Sequence, residues 1–433
     1  MSDYFDRIER QIVRRVEAGV PRGSRLRIRL EFVAPALSLV VVVAIVVVFL
    51  GVHGSKSPSS TVGPGGGVEL VYQAEPMPQT PAVTRAALAR TIAVMRQRAE
   101  TLGVTGGTFR ATGRNEITVQ LPNIKGLARA EKVVGQTARL EFYDWEANAL
   151  TPNGKTVASQ LRAQDPIALT TSQGSGSASP GAPGAGSMPL YDAVRLASKQ
   201  RPQVSPDNSR LGPQYYLFGS PGSAACATVA RNQGKTPAPA VHCLLAGPDD
   251  TRADLLSWLP NGVSASQGQQ LAVPPGTVVL QAADPSPGRQ TKLNDPTAEF
   301  YVLKDHVSLF GNETTNPRQG TDQGGNPDVT FAFTSKGRTA FQKLTSTIAH
   351  RGALVSGLGQ QLNQHFAVAL DTKLLTVPSI DFKSYPDGVQ APSADITAGL
   401  TIQSARDLAT QLRLGTLPVN LRLISEKQLS AHG

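Results

Sequence analysis

The usual signatures of a catalytic or metal site are missing from this 433-residue chain: it has two cysteines and six histidines, and neither HExxH nor GxSxG occurs. His53, His242, His306, His350, His365 and His432 are scattered without metal-ligand spacing, so a structural zinc module is excluded. His365, beside an expected strand, reads as structural. Gly154-Lys155-Thr156 and Gly234-Lys235-Thr236 look like the end of a phosphate loop, but the opening glycine is absent; Ala149 stands where the first would need it. Aromatic residues make up 5% and charged residues 17%, while glycine (41) and proline (32) abound, which implies ordered modules separated by irregular stretches.

The formal charge of +10 does not mark a nucleic-acid binder, because much of it stands at one end. Arg7, Arg10, Arg14, Arg15, Arg22, Arg25, Arg27 and Arg29 precede an unbroken apolar run, Phe32 to Val52, and no aromatic-interleaved basic motif accompanies them. That run is long enough to cross a ~30 Å hydrocarbon core as a helix. It exceeds the apolar core of a cleavable signal peptide, and no A-x-A site follows it, so an uncleaved anchor is expected. The arginines place residues 1–31 in the cytoplasm and the bulk of the chain outside, in the cell membrane's single-pass topology. Tyr4, Phe5, Ile8, Ile12, Val13 and Val16 read either as a face resting on the lipid bilayer or as part of a frayed topogenic segment. Cys226 and Cys243 then fall in an oxidising compartment, and a disulfide is expected between them. On the loop-closure model that link removes about 3 kcal/mol of unfolded-chain entropy.

Residues 53–66 form a flexible spacer. Past it, a strand at 68–72, a helix at 82–102 entered near Gln79 or Thr80, a hairpin of strands at 107–112 and 116–121, a helix at 126–134 and a strand at 138–144 follow in the order β-α-β-β-α-β. That order predicts a ferredoxin-like base module over 67–146. Residues 147–299 read as a loop-rich, low-complexity insertion holding the cysteine pair and islands of order. A second α+β module is expected over 300–433, with helices at 336–350 and 404–414. The fold class is therefore α+β behind one N-terminal transmembrane helix.

Several stretches resemble the SecD family of protein-export membrane proteins. In the first module these are Gly66 to Leu70, Arg96 to Val104, Ile117 to Pro122 and Val134 to Phe142. In the second they are Tyr301 to Lys304, Phe331 to Thr334 with Gly337 and Phe341, Ala367 to Asp371 with Pro378 and Ile380, and Ala405 to Pro418. The resemblance implies the family's extracytoplasmic first domain, a base plus a head, with a hinge between about Asp144 and Phe300. Leu121, Pro122, Gly135, Gly337, Asp371, Pro378, Gly415, Leu417 and Pro418 carry its motifs and are expected to serve packing.

No second apolar run of spanning length occurs, so this sequence is expected to lack the family's further, proton-coupling membrane helices. Phe32 to Val52 contains no ionisable residue of its own. The resemblance implies a non-enzymatic module without cofactor or metal that binds unfolded or nascent secreted polypeptide near Sec translocon subunits or a SecF-like protein. The alternative is an envelope structural or regulatory protein that keeps the fold without export. A hydrolase would need an acidic pair such as Asp381 with Asp387 or Asp371 with Asp395 in a cleft.

Overall fold

The computed structural model describes residues 66–429 except 78–79, 102, 123–133, 164–183, 211, 233–239, 258, 285–290, 357–361 and 398. The apolar run Phe32 to Val52, the cytoplasmic segment before it, nearly all of the spacer and most of the helix expected at 126–134 lie outside the described residues. Among the described residues, no helix is long and apolar enough to cross a membrane.

β1 (Gly67–Glu75) buries Val68, Leu70, Tyr72 and Ala74, the alternation that a strand with one covered face requires. α1 (Arg85–Thr101) starts later than the sequence suggested. Met77 and Thr80 exchange backbone hydrogen bonds in a turn, and the cap falls to Thr84, whose hydroxyl accepts the Ala87 N–H at 3.1 Å. Gly103, in the left-handed region at φ +80°, ends the helix. β2 (Thr108–Ala111) and β3 (Glu116–Pro122) form the expected hairpin.

β4 (Leu140–Asp144) corrects the ferredoxin-like reading of 67–146, because it does not join this sheet. The strand beside β1 is β17 (Asn420–Leu429), paired antiparallel from Gly67 opposite Leu429 to Glu75 opposite Asn420. The sheet runs β17-β1-β3-β2, so the base is closed by the chain's last described strand. Burial explains the exchange. All five residues of β4 are buried, which suits a strand covered on both faces, whereas β17 is half-exposed and suits an edge. Leu417 and Val419 accordingly pack with Val68, Leu70, Ile117 and Leu121 in the base core.

The span 147–299 holds islands of order among loops. β5 (Gln214–Gly219), β6 (Cys243–Asp249) and β7 (Gly268–Val273) form a three-stranded lobe, while β8 (Thr277–Gln281) pairs with β9 (Phe300–Lys304) in the largest sheet. That sheet runs β10-β4-β13-β14-β8-β9, with β10 (Val307–Phe310), β13 (Gln364–Leu370) and β14 (Lys373–Thr376); β15 (Ser379–Ile380) pairs with β13. β14 and β15 are separated by Val377-Pro378. α2 (Leu190–Ala197), α3 (Ala224–Asn232) and α4 (Arg252–Ser257) belong to the span 147–299.

In the head, β11 (Thr314–Thr321), β12 (Pro327–Phe333) and β16 (Ser393–Ile396) form a further sheet, accompanied by α5 (Ser335–Val355) and α6 (Ile402–Leu414). α6 begins with a capping box between Thr401 and Ser404. Phe142 on β4 centres the core, edge-on to Phe331 and Phe341 at 6.2 and 6.3 Å and stacked near Phe366.

Candidate functional site

The chain passes between base and head twice, outward through residues 134–139 and back through 415–419, and the two passages lie side by side. Leu417 N–H donates to the Thr137 carbonyl at 3.0 Å, and the Thr416 hydroxyl donates to the Ala138 carbonyl at 3.2 Å. Both passages lie outside the span between Asp144 and Phe300. Fully buried Arg98, from α1, ties both passages together. Its guanidinium donates to the carbonyls of Gln136, Thr137 and Gly415, the last at 2.8 Å. Burial pulls Arg98 down to about 10, with Asp371 opposing, so it remains cationic at neutral pH.

Asp371 completes the joint from the head. Its carboxylate accepts the N–H groups of Ala138 and Arg139 at 3.2 and 2.9 Å, and its own N–H donates to the Arg139 carbonyl. Both Ala138 (φ 60°) and Asp371 (φ 58°) hold left-handed backbone that L-residues adopt at a cost, and these mutual hydrogen bonds offset it. Gly415, at φ +81°, ends α6 where its carbonyl can meet Arg98. Beyond the joint, buried Arg139 pairs with Glu141, which accepts the Tyr143 hydroxyl at 2.9 Å. Burial opposes the charge on Arg139, but Glu141, Asp371 and Tyr143 outweigh it and raise its pKa.

The remaining motif residues sit at packed or hydrogen-bonded positions. Leu121 is fully buried and Pro122 stands opposite Gly67 at the end of β3. A Cβ on Gly135 would lie 2.5 Å from the Tyr72 ring, and one on Gly337 would lie 2.2 Å from the Glu313 carbonyl oxygen, which approaches the first turn of α5. The Pro378 carbonyl accepts the Phe366 N–H at 3.1 Å, and Pro418 is half-buried beside buried Leu417. Asp381 accepts from Lys383 N–H and the Ser384 hydroxyl, so it and Asp371 are both engaged in local hydrogen bonding.

A second charged cluster, unsuspected from the sequence, stands at the far end of β4. Arg351 of α5 grips Asp144 with two hydrogen bonds of 2.8 and 2.5 Å. Glu146 lies 3.4 Å from the same guanidinium and accepts His365 N–H at 2.9 Å, with the ring Nδ1 at 2.6 Å. His365 is thus held structurally.

The lobe contains a cavity of 380 Å³ between α2, α3, β6 and residues 293–298. Leu190, Phe218, Val229, Leu244 and Pro296 line it with the disulfide-linked Cys226 and Cys243, whose Cα atoms are 5.7 Å apart. Tyr191 stacks on His242 at 3.6 Å between ring centres, while Asp192, Arg195 and Asp295 supply charge. This volume and mixed lining suit a small ligand or a few side chains of a peptide.

Residues 88–147 match the family model described as Protein translocase subunit SecDF, P1 domain, N-terminal, and residues 288–419 match that of the SecDF P1 head subdomain. Both matched parts are similar to the P1 region of the SecD family. Protein translocase subunit SecD of Rickettsia conorii is 30% identical to this chain over 158 residues, 36% of this chain and 25% of that protein. The SecD of Rhodothermus marinus is 25% identical over 349 residues, 79% of this chain and 46% of that protein. A solved structure of SecDF, described as a membrane component that enhances protein export, covers 82% of this chain and 98% of its own at 18% identity, with a TM-score of 0.36. These curated relatives are matched over about a quarter and about half of their length. The P1 models fall on both sides of the joint, which they enclose.

Proposed function

We propose that this chain assists protein export as a membrane-tethered extracytoplasmic module that holds unfolded or translocating polypeptide near Sec translocon subunits or a SecF-like partner. The tether is the apolar run Phe32 to Val52, which places the P1 region on the far side of the cell membrane. The match of both P1 family models, in order, to the two parts that meet at the Arg98 joint carries this reading. The lobe cavity supports it by offering apolar and aromatic walls beside charged groups, the composition an extended chain with mixed side chains can use. No step in this role requires the chain to make or break covalent bonds.

The test uses the full chain in lipid nanodiscs and a fluorescently labelled, permanently unfolded secretory polypeptide, with binding read by anisotropy. Saturable binding is expected, and Tyr191→Ala with His242→Ala should weaken it by about fivefold, the effect of losing roughly 1 kcal/mol of aromatic contact. Absence of saturable binding by the unaltered chain contradicts the reading. Binding that the double variant leaves unchanged removes the cavity from it.

A further inference from the structure

The lobe sheet runs β6-β5-β7, so among the described residues β6 is paired on one side only, with β5. Its other side turns main-chain N–H and C=O groups away from the sheet, a template on which another extended chain can pair. Pro248 bounds the template, since a proline has no N–H to offer, and leaves Cys243 to Ala246 open. The disulfide from Cys243 to Cys226 fixes the near end of that stretch to α3.

The cavity of 380 Å³ stands at this open edge. Successive side chains of a strand point to opposite faces of its sheet. Leu244 packs with Leu190 and Phe218 on the α2 side, whereas Cys243 packs with Val229 on the α3 side. All five residues line the cavity. A space walled from both faces, through neighbouring residues of one strand, lies beyond that strand's edge rather than under either face.

We propose that an extended segment of translocating polypeptide adds to the lobe sheet as a fourth strand beside β6, with alternate side chains entering the cavity. This deepens the polypeptide-binding reading above and rests on it. A helix arrives with its amides already bonded, and a small ligand leaves the edge unpaired; an extended peptide satisfies both the edge and the cavity. Edge hydrogen bonds accept any sequence, and the cavity then selects side chains. Its walls of Leu190, Phe218, Val229 and Leu244 suit aliphatic and β-branched residues. Asp192 and Asp295 outnumber Arg195 in the lining, so the charge is complementary to lysine or arginine at the ends of the segment.

The experiment uses the full chain in lipid nanodiscs and a fluorescein-labelled peptide of alternating valine and threonine with lysine at each end. Two further versions are N-methylated, one at every valine and the other at every threonine. In an extended chain the valine amides face one edge and the threonine amides the other, so only one version can still pair with β6. One version should bind within about threefold of the parent and the other at least about tenfold more weakly, the loss of two or three edge hydrogen bonds. Hydrogen exchange should slow at Leu244 to Ala246 when the parent binds and stay unchanged in β7, the opposite edge. Equal affinities of the two methylated versions, slowing confined to other strands, or no binding of the parent where the unfolded polypeptide binds would each overturn strand addition and leave the export reading standing. No binding of the unfolded polypeptide itself would contradict that reading, and this inference with it.

Discussion

Arg98→Met is expected to destabilise the P1 region by about 3–5 kcal/mol and to release β17 from β1 before the head unfolds. Methionine keeps much of the buried volume but donates nothing, so the carbonyls of Gln136, Thr137 and Gly415 lose the guanidinium that joins them. These carbonyls belong to both passages between base and head, which is why the loss should appear first as weakened hydrogen-exchange protection in β17. Asp371 would meanwhile remain on Ala138 and Arg139, so the head side of the joint should stay ordered. Denaturant unfolding followed by exchange mass spectrometry decides the matter. A loss below about 1 kcal/mol with β17 protection unchanged would show that Arg98 is not the tie.

Arg351→Met should cost a similar amount at pH 8, about 3–5 kcal/mol, because it leaves Asp144 and Glu146 without their cation in a largely buried place. The pH dependence carries the diagnosis. Burial already raises Asp144, and Arg351 restrains that rise; without Arg351 the carboxyl rises further. A carboxyl whose folded pKa exceeds its unfolded value binds its proton preferentially in the folded protein, so the variant should regain stability as pH falls from 8 to 5. Urea unfolding of both proteins at the two pH values should show the gap narrowing at pH 5. A gap of constant size would mean that the loss comes from packing of the arginine stem rather than from stranded charge.

Local patterning made many elements legible. The alternation of Val68, Leu70 and Tyr72, the hairpin around Gly113 and the box of Thr401 with Ser404 were all written within a few residues of where they act. The base's fourth strand was not, because a strand's partner is chosen by sequence-distant burial: β4 has the composition of either sheet, and only its two-sided burial assigns it to the head. β11 carries no clear strand pattern because Asn316, Pro317 and Gly320 interrupt it. An edge strand with an irregular register at Thr315 to Arg318 tolerates all three.

The joint was half legible. Asp371, Gly415 and Leu417 fall in the motifs of the family resemblance, but the helical period sets Arg98 apart from the apolar side of α1. The helical period gives a side chain's direction and says nothing of three carbonyls waiting there. Arg351, Asp144 and Glu146 likewise come together across more than two hundred residues, a separation at which spacing carries no signal.

Site-specific photocrosslinking in intact cells, from Tyr191 at the lobe cavity and from exposed Leu354 at the end of α5, tests the central claim most directly. The account predicts that secreted polypeptides are captured at Tyr191 during export and that capture falls when export is blocked upstream. Capture from both positions of the same folded envelope protein, with no secreted polypeptide at Tyr191, would contradict it.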